Sequence, residues 1–282
     1  MHRSVPTADS RRVTRHRLGH LDLVLDLPAR LASAVSGFPF LDLAESPVAP
    51  DGEPAVTVTA VVEVERGDTS GDPEYRIHGR IGDPEWSACA PIWWDADGQG
   101  LERVRARLRE DRPQDLPLGL RSFLRLLLAE TFLRTGGIAL HASAVSRARG
   151  AIVMMARSGG GKTTTVTRFA PESVLADDFT LVSPCPGGFC VPRSPLPGRE
   201  GTAVTGSPAR LWRLVEIEKA AEAGYLPLRG GEAMAAVVRA ALVRSCDLAA
   251  REALLDVSHR LAVAAGIGRL KVSLSGDPWG VL

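Results

Sequence analysis

Residues 151–169 read AIVMMARSGGGKTTTVTRF, and this stretch decides the fold. Its apolar opening predicts a buried strand, its glycines a loop, and KTTTVTRF a helix. The order strand, glycine loop, Gly161-Lys162-Thr163, helix fits the phosphate-binding loop pattern, with Ala156 standing where the first glycine usually is. Gly159, Gly160 and Gly161 permit dihedrals that turn successive N–H groups inward, which makes a nest for an anion. The nest opens onto a helix N-terminus, whose dipole also favours phosphate. Lys162 is expected to be a mobile, solvated cation for β- and γ-phosphates, and Thr163 to offer a hydroxyl to Mg2+. Ser158, Gly159, Gly160, Gly161, Lys162, Thr163 and Thr164 are therefore the expected cradle for ATP with Mg2+. The motif alone does not separate hydrolysis, phosphoryl transfer and mechanical work.

Asp177 stands fifteen residues after Lys162, in VLADD (174–178). A short apolar strand ending in two aspartates can aim carboxylates at a bound metal–phosphate. Phosphoryl transfer has two uses for them: one holds Mg2+, another takes the proton of the attacking hydroxyl. An adjacent pair at a strand end can serve both, because consecutive side chains point to opposite faces. Aspartate is also a common turn residue, so the pair taken alone leaves a solvated turn open. His141 lies in IALHASAV (138–145), on the strand before the loop strand. A lone histidine in an apolar strand is more often a satisfied core residue than a functional one.

Taken together, HASAV (141–145), ARSGGGKTTT (156–165) and VLADD (174–178) resemble the HPr kinase/phosphorylase family and its distant HPr-kinase-like relatives, which include kinases that tailor ribosomal peptides. In that family an HGxxV-type strand precedes the phosphate loop and an ADD strand follows closely. Most phosphate-loop NTPases carry their metal-binding aspartate on a more distant strand. The resemblance covers roughly residues 120–245 and is best over 138–183. It implies an α/β kinase core of the HPr-kinase/PEP-carboxykinase-like type. By position it implies Lys162 on the β- and γ-phosphates, Thr163 on the metal, Asp177 as general base, and Asp178 holding Mg2+ or orienting the lysine. His141 would sit beside the base. The family's Glu-Ile-Arg-Gly segment has its place near PGREG (197–201), which implies Glu200 as a further metal ligand. Its Pro-Gly-Arg-Asn loop has its place near PLRGGE (227–232), which implies charge stabilisation by Arg229, with Arg199 the other candidate. Neither segment matches letter for letter, and HPr recognition in true members depends on them.

Outward from this centre the chain is less specific. Of 282 residues, 45% are hydrophobic, 24% charged and 5% aromatic, an ordinary globular composition with room for one large domain or two. A net charge of +1 provides no global field for nucleic acid. The absence of an apolar run of about 18 residues predicts no membrane span. Among 34 basic residues only Lys162, Lys219 and Lys271 are lysines. Arg3, Arg11, Arg12, Arg15 and Arg17 crowd the start, and Ser10-Arg11-Arg12 hints at a twin-arginine signal. With no apolar stretch behind it, residues 1–17 read as a flexible basic tail and the protein as cytoplasmic. Four cysteines agree with a reducing compartment. Cys185 and Cys190 flank PGGF, which reads as a turn between short strands.

Strands are expected at 21–27, 56–65, 75–80 and 91–94, a short helix at 29–35 and a short charged helix at 101–109. These make residues 18–115 a β-rich α+β unit, where Trp93-Trp94 could dock a peptide or fill the core. From 116 to 282 an α/β domain is expected. It starts with a helix at 121–135, apolar round most of its circumference. Strands follow at 138–145 and 151–155, then a helix from 162, strands near 174, 180 and 189, and a strand at 213–219. Helices at 232–243 and 247–265 and a strand at 269–274 complete it. The leading expectation is a kinase that moves the ATP γ-phosphoryl group to a hydroxyl of a peptide, a small protein or a small molecule. Neither nucleic acid nor membrane is an expected partner, and a homo-oligomer is left open. The rivals are a nucleotide-binding module without acceptor chemistry and a phosphoenolpyruvate-carboxykinase-like enzyme, for which the chain looks short.

Overall fold

A computed structural model describes residues 10–34, 56–66, 77–78, 86–89, 93–99, 103–110, 115–156, 160–169, 173–196, 202–243, 248–273 and 278–282. The chain divides into two units. The first runs up to Glu130, and the second comprises Thr131–Leu282 together with Leu18–His20.

In the first unit, β1 (Arg11–Leu18), β2 (Leu21–Pro28), helix α1 (Ala29–Ala34) and β3 (Val56–Arg66) are followed by β4 (Ile77–His78), β5 (Trp86–Cys89), β6 (Trp93–Gln99) and β7 (Arg103–Glu110). They form a sheet of order β1-β2-β3-β7-β6-β5-β4, in which β2, β3 and β7 run parallel. Period-2 patterning builds one apolar face: Leu21, Leu23, Leu25 and Leu27 of β2, Val58, Ala60 and Val62 of β3, and Val104, Ala106 and Leu108 of β7 are buried. Two expectations are corrected here. Residues 11–17 are not a tail. They are a strand, because Arg11, Arg15 and Arg17 find carboxylates on β2: Asp26 for the first and Asp22 for the other two. Residues 103–110 are not a helix. RVRARLRE alternates basic and apolar residues up to Arg109, and its apolar residues Val104, Ala106 and Leu108 are the buried face of β7. The arginine-rich composition hid that alternation. Trp93 and Trp94 open β6, with Trp94 in register with Leu108 of β7.

Helix α2 (Asp115–Arg134) carries the division between the units within its last turns. The expected boundary at 115/116 lies at the start of this helix, and Leu18–His20 belongs to the second unit. The reason is the His20 ring, whose Nδ1 lies 2.6 Å from Ser183 Oγ and whose Nε2 lies 2.6 Å from Thr135 Oγ1.

The second unit continues with β8 (Ile138–Leu140), β9 (Ala142–Arg147), β10 (Gly150–Met155), α3 (Lys162–Phe169), β11 (Val174–Ala176), β12 (Thr180–Cys185) and β13 (Gly188–Val191). Then come β14 (Ala209–Lys219), β15 (Gly224–Pro227), α4 (Gly230–Ala240), α5 (Leu248–Ala264), β16 (Gly266–Val272) and a 3-10 turn at Pro278–Val281. Among the described residues the sheet has nine strands, in the order β11-β9-β10-β14-β13-β12-β8, with β16 also on β14 and β15 on β16. The fold is thus mixed α/β. The expected turn between Cys185 and Cys190 is the β12–β13 hairpin. The expected single strand at 138–145 is broken at His141, where the chain leaves β12 as partner and takes up β10 and β11.

Strand direction sets up one special edge. β10, β14 and β16 are parallel, and β11 runs the same way because both it and β10 are antiparallel to β9. The carboxyl ends of β11, β10, β14 and β16 therefore open at the same edge, the place where ligands gather on parallel sheets.

Candidate functional site

The site begins where β10 ends. Residues Ala151–Met155 are buried, so the strand is anchored on both faces before the chain turns out at Ala156. Arg157, Ser158 and Gly159 lie outside the described residues. Gly161 adopts φ +95°, which L side chains rarely take, and Lys162 opens α3 directly after it. The Thr165 N–H and Oγ1 both donate to the Gly161 carbonyl, at 2.9 and 2.8 Å, closing the first helical turn. Thr163 is half-buried and Thr164 exposed. Lys162 corrects the expectation of a solvated cation: it is buried, and its Nζ donates to the Ala156 carbonyl at 2.8 Å. A buried ammonium needs acceptors, and folding back onto the loop's first carbonyl provides one.

The aspartates lie just past β11. Hydrogen bonds from Ser194 N–H to the Leu175 carbonyl, and from Thr205 and Gly206 N–H to the Val174 carbonyl, hold that strand's outer edge. Asp177 is 1% exposed. Its Oδ1 accepts from Ser143 Oγ of β9 at 2.8 Å and from Thr163 Oγ1 of α3 at 3.0 Å. Asp178 is the one non-glycine residue with positive φ among those described, at +68°. Aspartate tolerates that region better than most residues, and strain of this kind clusters at functional sites. Asp178 Oδ1 lies 2.7 Å from His141 Nε2, in a more open position: the histidine side chain is 32% exposed and the carboxylate 13%. The His141 backbone is fixed from the other side, its N–H donating to the Ala240 carbonyl at the end of α4 at 2.7 Å. The two carboxylates thus separate past the strand end, one onto Ser143 and the glycine-loop helix and the other onto His141.

Arg229 does not join this group. Arg229 is the exposed N-cap of α4. The opposite end of that helix meets His141, and eleven residues of helix put about 16 Å between the two. The helix itself is what keeps Arg229 away. Glu200 and Arg199 lie outside the described residues. The structure adds a residue that motif reading missed. Lys219 ends β14, next to the loop strand, and its Cε lies 3.6 Å from where a Cβ on Gly161 would stand. The one available signal was composition, since lysine is rare in this arginine-rich chain.

Among the described residues no three His, Cys, Asp or Glu side chains converge as a self-sufficient metal cluster. Thr163 Oγ1 and Asp177 form an all-oxygen donor set. That suits Mg2+, which commonly takes one or two protein oxygens and fills its shell with water and substrate phosphate. Among the described residues no helix is long and apolar enough to cross a membrane. No family model matches the chain, and no curated protein matches it.

Proposed function

We propose that this protein is an ATP- and Mg2+-dependent kinase of the HPr-kinase-like type, transferring the γ-phosphoryl group to a hydroxyl. The observation that carries the reading is the Thr163–Asp177 hydrogen bond at the mouth of the glycine loop, with the His141–Asp178 pair beside it. A nucleotide-binding module needs the first and has no use for the second.

In this reading the loop N–H groups and Lys162 hold the phosphates, and Lys162 exchanges the Ala156 carbonyl for phosphate oxygens. Thr163 and Asp177 would hold Mg2+, which neutralises charge on the β- and γ-phosphates. The acceptor oxygen forms a bond to the γ-phosphorus as the bond from that phosphorus to the β–γ bridging oxygen breaks, and ADP departs with that electron pair. The hydroxyl proton goes to the His141–Asp178 pair. This exchanges the roles that resemblance implied for the two aspartates. Asp177 is turned onto Ser143 and Thr163 at the start of the loop helix, whereas the His141–Asp178 pair reaches more open space. The preferred acceptor is a serine or threonine on a peptide or small protein.

The test uses the full chain. Calorimetry with Mg-ATP should show binding that Lys162→Ala weakens strongly, with the fold checked by thermal melting because Lys162 is buried. Labelled ATP offered with serine- and threonine-containing peptides and with small alcohols should show transfer. Unchanged affinity in Lys162→Ala would sink the phosphate-loop assignment. Binding without transfer to any hydroxyl would favour the module.

A further inference from the structure

We infer that Lys219 is a second phosphate-binding cation, reaching the bound triphosphate from the β14 side of the glycine loop. The inference rests on the kinase reading above and deepens it, because resemblance and motif assigned only Lys162 to the phosphates.

Topology supplies the first part of the argument. β14 runs parallel to β10, and Met155, the last residue of β10, is in register with Glu216. β14 then continues through Ile217 and Glu218 to Lys219. Three further residues of strand carry it about 10 Å past the point where β10 gives way to the loop. Lys219 is therefore carried out alongside Gly161, at the start of α3. The Cε distance of 3.6 Å to the Cβ direction of Gly161 confirms that the stem lies against the loop just before Lys162, with the ammonium one bond further on.

The second part is the arrangement of charge across the edge. β9 and β11, with Ser143, Asp177 and Asp178, lie on one side of β10, and β14 lies on the other. A triphosphate seated on the loop would have the metal-binding oxygens to one flank and Lys219 to the other. Glu216 is engaged by Arg239 at 2.6 Å and Arg269 at 3.7 Å, and Glu218 by Arg269 at 3.5 Å. Lysine suits the task as a compact cation on a flexible stem that can follow phosphate oxygens.

The experiment measures binding of Mg-ATP and Mg-ADP to the full chain, to Lys219→Met and to Lys219→Arg, with Lys162→Ala as reference. Methionine keeps the stem over Gly161 and removes the charge. Lys219→Met should weaken Mg-ATP at least about tenfold, the scale of one hydrogen bond to a charged group. It should weaken Mg-ADP less, and Lys219→Arg should recover most of the loss. Melting temperature should not change, since Lys219 is exposed. In turnover assays the loss should fall on KM for ATP more than on kcat. Wild-type affinity in Lys219→Met, with Lys162→Ala still weak, overturns this inference and leaves the kinase reading standing. Failure of the wild-type chain to bind Mg-ATP overturns both.

Discussion

Each unit of the molecule carries a pair of aspartates in or beside a strand, and the two pairs are held differently. In the first unit, Asp22 and Asp26 lie within β2 and are met by arginines of β1. Arg15 and Arg17 approach Asp22 at 2.7 and 2.6 Å, and Arg11 approaches Asp26 at 2.6 Å. In the second unit, Asp177 and Asp178 lie just beyond the end of β11 and are oriented by two hydroxyls and an imidazole. An arginine on a neighbouring strand answers a carboxylate's charge permanently. Hydroxyls orient a carboxylate by donating to it and bring no charge of their own. Position in the strand decides which happens. Mid-strand carboxylates face the side chains of the paired strand, whereas those past a carboxyl end face a loop and whatever it binds.

The sharpest way to break this contrast is to neutralise one aspartate of each pair. Asp178→Asn should cost phosphoryl transfer about 10²–10⁴-fold, the usual scale for losing a general base, while Mg-ATP affinity holds. Asp22→Asn should leave kcat of the folded protein unchanged. Equal losses of kcat in both variants would erase the distinction.

Acid stability comes next. Burial lowers the pKa of His20, in the second unit, and of His16, in the first, from 6.5 to about 4. Between those values the unfolded chain binds more protons, so stability rises with pH across the window and is fully present above about 6.5. Each ring should therefore cost the fold progressively more as pH falls from about 6.5 toward 4. Denaturant midpoints followed from pH 7 to 4 should show the slope, and His20→Gln should flatten part of it. His20 fits the neutral state: Thr135 Oγ1 donates to the Thr131 carbonyl at 2.7 Å, so the ring donates from Nε2 to Thr135 and accepts at Nδ1 from Ser183. A pH-independent midpoint would show that these rings titrate normally.

Stability then separates the first unit's own pair. Asp22 is 3% exposed and accepts charged hydrogen bonds from two arginines, so Asp22→Asn should destabilise by about 2 kcal/mol. The smallest effect belongs to Asp26→Asn, within about 1 kcal/mol, because that pair is open to solvent. Arg11 also keeps its bonds to the Asp26 and Val62 carbonyls. Chemical denaturation ranks the two, and the reverse order would mean that burial does not set the worth of these pairs.

The strand at 150–155 and the helix at 162–169 were legible because each depends on local signals: an apolar run, and a helix opening at Lys162 after glycines. The β2 and β3 alternation and the β12–β13 turn were legible for the same reason. β7 was lost although its pattern is regular, since a run of arginines reads as a solvated helix until Val104, Ala106 and Leu108 are seen as one face. The tail reading of 11–17 failed because its partners, Asp22 and Asp26, belong to the next strand.

What the chain determined by itself was the inventory of the site: a glycine loop with Lys162 and Thr163, two aspartates behind a short strand, and a histidine ahead of it. Tertiary structure alone decided the pairings. Asp177 meets Ser143 across 34 residues, and Asp178 meets His141 across 37. Lys219 comes to Gly161 because β14 is laid beside β10, and Arg229 is held off by the length of α4. Local sequence dictates local backbone conformation. Which side chain faces which depends on strand order and register, and those are settled by burying apolar faces of segments far apart in the chain.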